Sequence, residues 1–129
     1  MQEVYDVAGG VDPRAGLALG GGIGCAGDAC GILTGGAVAI GLLVGDHVAD
    51  LERAKALSRE LALSYYRDFV KEFGHADCLS LTDIDMSTEE GRQLYKTSGC
   101  KDNRCTKYLA YAVRRLMPIR DEVKAATAG

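Results

Sequence analysis

The chain has 129 residues and a mass of 13.6 kDa, with 47% hydrophobic residues, 26% charged residues and a net charge of −3. These values fit one soluble globular domain over residues 1–129 and leave no room for a second. The acidic balance argues against the basic, phosphate-neutralising face that nucleic-acid binding requires, so no nucleic-acid partner is expected.

Met1-Gln2-Glu3-Val4-Tyr5-Asp6 places acids where a secretory leader needs basic and then apolar residues, which leads to the expectation of a cytoplasmic protein. Residues 1–27 read as an irregular glycine-rich segment and residues 28–129 as helical. In the first segment, Gly22-Ile23-Gly24-Cys25-Ala26-Gly27 fits the G-x-G-x-x-G dinucleotide fingerprint, and Asp46 lies about where a ribose-binding acid would sit. That fingerprint needs a strand before it and further βαβ units after it. Pro13, Arg14 and nearby glycines crowd the supposed strand, so a glycine loop leading into a buried helix is the better account, and nucleotide binding ranks third among the functional readings.

Ala29 to Gly45 runs for seventeen residues without a charge, just long enough to be weighed as a membrane span. Asp28 and Asp46 bracket it instead of basic residues, and five glycines interrupt it, so the expectation is a buried helix from Cys30 to Val44 and no membrane. Its glycines would let a neighbouring backbone approach closely, Gly31/Gly35 and Gly41/Gly45 having the spacing for it. From Asp50 to Phe73, Leu57, Leu61, Tyr65, Phe69 and Phe73 recur every fourth position, which predicts a long amphipathic helix capped by Asp50 and ended by Gly74. Ser87-Thr88-Glu89-Glu90 has the form of a capping box and predicts a short helix to Thr97 that stops at Gly99. Cys105, Tyr108, Leu109, Ala112, Val113 and Leu116 form the stripe of a last helix ending before Pro118. The predicted fold is all-α, a small single bundle around the buried glycine-rich helix.

Charge is segregated: residues 46–90 hold eleven acids and five bases, whereas residues 92–120 hold eight bases and one acid, Asp102. Pairing of the two halves within the molecule is the expected outcome, and docking of an acidic partner on the basic stretch is the sharper alternative.

The five cysteines are the main chemical signal. No Cys-x-x-Cys is present, which removes the usual thioredoxin dithiol and zinc ribbon, and the lack of Cys-x-x-Cys-His removes covalent haem. Asp28, Asp77 and Asp102 can cap helices that hold Cys30, Cys78 and Cys105 in their first turns, where free backbone N–H groups favour thiolate. Arg104 and Lys107 add positive charge near Cys105. Convergence of Cys30, Cys78 and Cys105 would make a redox relay or a soft ligand set for zinc or an iron–sulfur centre, with Cys25 and Cys100 as resolving thiols or additional ligands and His75 as a further candidate ligand. The competing reading is that unpaired cysteines pack as small hydrophobes.

Leu19 to Gly45, the stretch Phe73-Gly74-His75-Ala76-Asp77-Cys78-Leu79 and the late Cys105 resemble the redox-active C_GCAxxG_C_C family over most of the chain. The resemblance implies a small helical domain defined by four cysteines, one of them in a Cys-Gly-Ala-x-x-Gly motif, and a related domain occurs in split-Soret cytochromes. By position, Cys30, Cys78 and Cys105 correspond to the last three family cysteines. Here the motif reads Cys30-Gly31-Ile32-Leu33-Thr34-Gly35, with Ile32 in place of Ala. The first family cysteine is expected in an N-terminal helix that this sequence almost wholly lacks, which makes Cys25 or Cys100 its candidate replacement. A shortened start would leave the glycine-rich helix short of cover, hence the expectation of a homodimer.

Two functions of different class follow. One is a redox or electron-transfer protein, working with a redox partner protein through Cys30, Cys78 and Cys105, by disulfide exchange or a bound metal. The other is a non-catalytic helical interaction module whose cysteines only pack. No general acid or base stands out among the carboxylates, so an oxidoreductase activity is not spelled out by the sequence.

Overall fold

A computed structural model describes residues 12–127, and the acidic start together with the first part of the irregular segment lies outside them. Pro13–Leu19 coils as a short 3-10 helix opened by Asp12, whose carboxylate accepts the Arg14 backbone N–H at 2.9 Å. This corrects the expectation of irregular chain for these seven positions. There follow α1 (Gly31–His47), α2 (Leu51–Phe73), α3 (Cys78–Thr82), α4 (Glu89–Thr97), a π-helical turn (Lys101–Cys105) and α5 (Thr106–Thr127). Extended pairing among the described residues is confined to one antiparallel bridge, Ala29 with Asp77. The all-α prediction is met. No helix of the described residues is long and apolar enough to cross a membrane.

The core lies where α1 packs against α2 and α5, joining Leu33, Ile40, Leu43 and Val44 to Tyr65, Phe69, Leu116 and Ile119. Each such side chain contributes ~1.5–3 kcal/mol when fully buried. Only part of α1 is covered, however: Val38 is 51% exposed, and Gly35, Gly41 and Gly45 have nothing within 4 Å of where a Cβ would stand. The close approach expected of the glycines occurs instead at Gly36, where a Cβ would sit 2.6 Å from the Tyr65 ring. Tyr65 completes that contact by donating its hydroxyl to the Ile32 carbonyl at 2.8 Å.

The α2 prediction holds at both ends, with Asp50 accepting the Glu52 N–H and Gly74 left-handed at φ 84°. In α4 the cap is Thr88, which accepts the Gly91 N–H at 3.0 Å, whereas Ser87 turns back to Asp85. The predicted stop before Pro118 is corrected: α5 runs through the proline to Thr127. A mid-helix proline costs ~3 kcal/mol or more. Burying Ile119 and Val123, 0% and 1% exposed, supplies a comparable or larger gain.

Phe73 of α2 meets Tyr108 and Tyr111 of α5 edge-on, with ring centroids 4.7 and 5.2 Å away. Next to this wedge Arg115 binds Asp68 at 2.8 Å and also reaches Ser64. That pair joins the acidic and basic halves, and among the described residues the other ion pairs are local.

Candidate functional site

The segment entering α1 is shaped by backbone conformation. Residues 21–25 all take positive φ, from 58° to 77°, including Ile23 and Cys25, which lack the freedom of glycine. Gly22 is required there, since a Cβ would lie 2.5 Å from the Asp28 carbonyl and 2.8 Å from the Cys78 Cβ. The bridge of Ala29 with Asp77 follows directly: Cys30 N–H donates to Ala76 at 2.9 Å and Cys78 N–H donates to Asp28 at 2.7 Å. Cys30 thereby becomes the N-cap of α1, and Cys78 opens α3 on the paired segment.

Cys100 and Cys105 are brought together by a different device. In an α-helix, residues five apart do not share a face. The chain from Lys101 to Cys105 winds instead as a π-turn, closed by the Thr106 N–H on the Lys101 carbonyl, and i→i+5 winding stacks Cys105 over Cys100. Both thiols belong to one small cluster, and Cys105 adds to the rise in the proton affinity of Cys100. Tyr95 donates its hydroxyl to the Cys105 sulfur at 3.5 Å, and the Cys100 thiol lies 4.0 Å from the Thr82 carbonyl. Cys25, Cys78, Cys105 and Tyr95 all pack against a small buried cluster of Ile84, Met86 and Cys100, while Cys30 packs against the main core.

A family model described as "Putative redox-active protein (C_GCAxxG_C_C)" matches residues 6–119, a span that includes all five cysteines. The chain belongs to the C_GCAxxG_C_C family. No curated protein and no solved structure matches it.

In this C_GCAxxG_C_C member the thiolates expected at helix starts are not found at Cys30 and Cys78. Burial pushes the Cys30 thiol up, and the N–H groups of Ile32 and Leu33 at the start of α1 only oppose that rise. Cys78 is pushed up to about 11, first by burial and then by the neighbouring charges of Cys30 and Cys105. Cys100 is raised by burial and by Cys105, with Arg104 pulling it back. The helix-terminus effect is therefore real but smaller than the cost of charging a sulfur in an apolar site. Because Cys30, Cys78 and Cys100 are each raised further by a neighbouring thiol, a charge in the cluster makes ionising these three harder.

The capping assignments change accordingly. Asp77 does cap α3, accepting the Ser80 N–H at 2.8 Å. Asp28 serves through its carbonyl rather than as a cap, and Asp102 lies inside the π-turn. His75 is exposed and acts on Asp77. Among the described residues, no group of three or more His, Cys, Asp and Glu side chains is arranged to hold a metal ion. The sequence reading missed the pairing of Cys100 with Cys105 and the part played by Tyr95. The Cys-x-x-x-x-Cys spacing was the available signal, and it becomes meaningful only with π winding.

Proposed function

We propose that this protein is a thiol–disulfide redox protein in which Cys100 and Cys105 are the exchanging pair and Cys78 and Cys30 are the thiols next in line. The observation that carries the reading is the packing of Cys105 on the small cluster that buries Cys100, brought about by the π-turn. In the reaction one thiol, deprotonated, attacks a sulfur of an external disulfide. The mixed disulfide forms and one reduced thiol leaves. The second cysteine then attacks the protein sulfur of that mixed disulfide, closing Cys100–Cys105 and releasing the second reduced thiol. Two electrons and two protons pass from the protein to the external disulfide.

Burial gives this site its character. Raised proton affinity at Cys30, Cys78 and Cys100 keeps these thiols neutral and slow near pH 7, and mutual repulsion limits the cluster to stepwise ionisation. Hydrogen bonding and packing around Ile84 and Met86 hold the pair in register, so exchange depends on geometry more than on a standing thiolate.

The test is to count titratable thiols in protein purified without oxygen, before and after mild treatment with 2-hydroxyethyl disulfide. The native chain should lose two thiols as an intramolecular disulfide, and Cys100→Ser or Cys105→Ser should stop at a mixed disulfide. Iron or zinc bound in proportion to protein, and lost in Cys30→Ser, Cys78→Ser and Cys105→Ser, would replace this reading with a metal centre. Five unreactive thiols and no metal would leave the interaction module.

A further inference from the structure

Next to the thiol pair, α3, α4 and the π-turn enclose an open cleft of about 310 Å³, which Thr82, Asp83, Ser98, Cys100, Asn103 and Arg104 line. This is the small end of the range for small-molecule sites. Its buried lining includes Cys100, Thr82 and Ile84, while Asp83 and Arg104 bring both signs of charge beside the exposed Leu94. Asp83 ends α3 in a left-handed conformation, and its carboxylate is in no ion pair among the described residues. Arg104 reaches the Leu81 carbonyl with one nitrogen at 3.4 Å, leaving the rest of its guanidinium fork for an acceptor. A carboxylate, a guanidinium and an amide around one thiol complement a ligand that carries an ammonium, a carboxylate and a sulfur close together.

We infer that this cleft takes a small zwitterionic disulfide of the cystine class, with Arg104 and Asn103 receiving its α-carboxylate, Asp83 its α-ammonium, and Cys100 facing its sulfur. The inference rests on the proposed thiol–disulfide function and names its substrate class. Cys100, as thiolate, attacks one sulfur of the bound disulfide, forming the Cys100 mixed disulfide and expelling one amino-acid thiolate, which solvent protonates. Cys105 then gives up its proton to solvent and attacks the Cys100 sulfur, closing the Cys100–Cys105 disulfide and releasing the second amino-acid thiol. The external disulfide is reduced by two electrons and the protein dithiol is oxidised by two.

The experiment compares the rates at which cystine and 2-hydroxyethyl disulfide oxidise the reduced full chain, with N-acetylcysteine as the unstructured reference thiol. The cystine-to-hydroxyethyl ratio should exceed that of the reference by about tenfold, the size of one or two charge-assisted hydrogen bonds. It should fall most of the way back to the reference in Asp83→Asn and in Arg104→Gln. Asp83→Asn keeps a residue that tolerates the left-handed conformation, so it carries the test if loss of the Leu81 contact unfolds Arg104→Gln. A native ratio equal to the reference, with the Cys100–Cys105 disulfide forming from both reagents, overturns the cleft assignment and leaves the redox function standing. Failure to form that disulfide with either reagent overturns both.

Discussion

Tyr108 on α5 donates its hydroxyl to the carbonyl of Leu81 on α3 at 2.6 Å, tying the helix that follows Cys105 to the short helix that begins with Cys78. Arg104 adds a longer contact to the same carbonyl at 3.4 Å. Two chain segments that carry thiols are thus held by one acceptor. Replacing Tyr108 by Phe should lower stability by about 1–2 kcal/mol, because the carbonyl keeps only the weaker donor, and should loosen the position of Cys78 relative to Cys105. Urea unfolding of the reduced protein measures the first effect. Unchanged stability would mean that the contact is not formed in solution.

Glycines on α1 should respond oppositely to the same substitution. Gly36→Ala forces a methyl group to within 2.6 Å of the Tyr65 ring and should cost about 1–3 kcal/mol. Gly41→Ala enters open space on the exposed stripe and should stabilise by about 0.5–1 kcal/mol through helix propensity. Thermal unfolding of the two variants side by side checks the packing of α1. Equal destabilisation would show that the stripe bearing Gly41 is covered.

The cluster also sets a sign for the response to alkali. Burial and neighbouring thiolates lift Cys78 from an ordinary 9.0 to about 11 in the folded state. Between those two values the unfolded chain has lost a proton that the folded protein still holds. The stability that Cys78 contributes should therefore be fully present below pH 9 and be lost as pH rises from 9 towards 11, and Cys78→Ser should flatten the fall. Denaturation midpoints across that interval decide the matter. A midpoint that rises with pH would contradict the burial assigned to this thiol.

Helix existence was largely legible from the sequence, because the fourfold recurrence from Leu57 to Phe73 and the Asp50 and Gly74 ends are local signals that tertiary packing reinforced. Pro118 misled, since a propensity rule cannot see that Ile119 and Val123 fill the core beyond it. The glycines of α1 were read as one class, yet Gly36 alone among Gly35, Gly36, Gly41 and Gly45 meets a neighbour within 4 Å. At the site, the cysteines stand out in the sequence by their number, and their local setting could not be read from it. The bridge of Ala29 with Asp77 is a contact between distant residues, and the π-turn departs from the winding that residue spacing assumes. Ionisation of Cys30 and Cys78 could not be read locally, because a helix N-terminus is visible in sequence whereas desolvation is a property of the folded surroundings.

Peptide mapping by mass spectrometry tests the proposal that Cys100 and Cys105 are the redox pair. Reduced protein is equilibrated in thiol–disulfide buffers of increasing potential, trapped with an alkylating reagent at each step and digested. The first disulfide to appear should join Cys100 to Cys105, with Cys78 and Cys30 still alkylated at that potential. A first disulfide of any other pairing, or five alkylated cysteines at every potential, would contradict it.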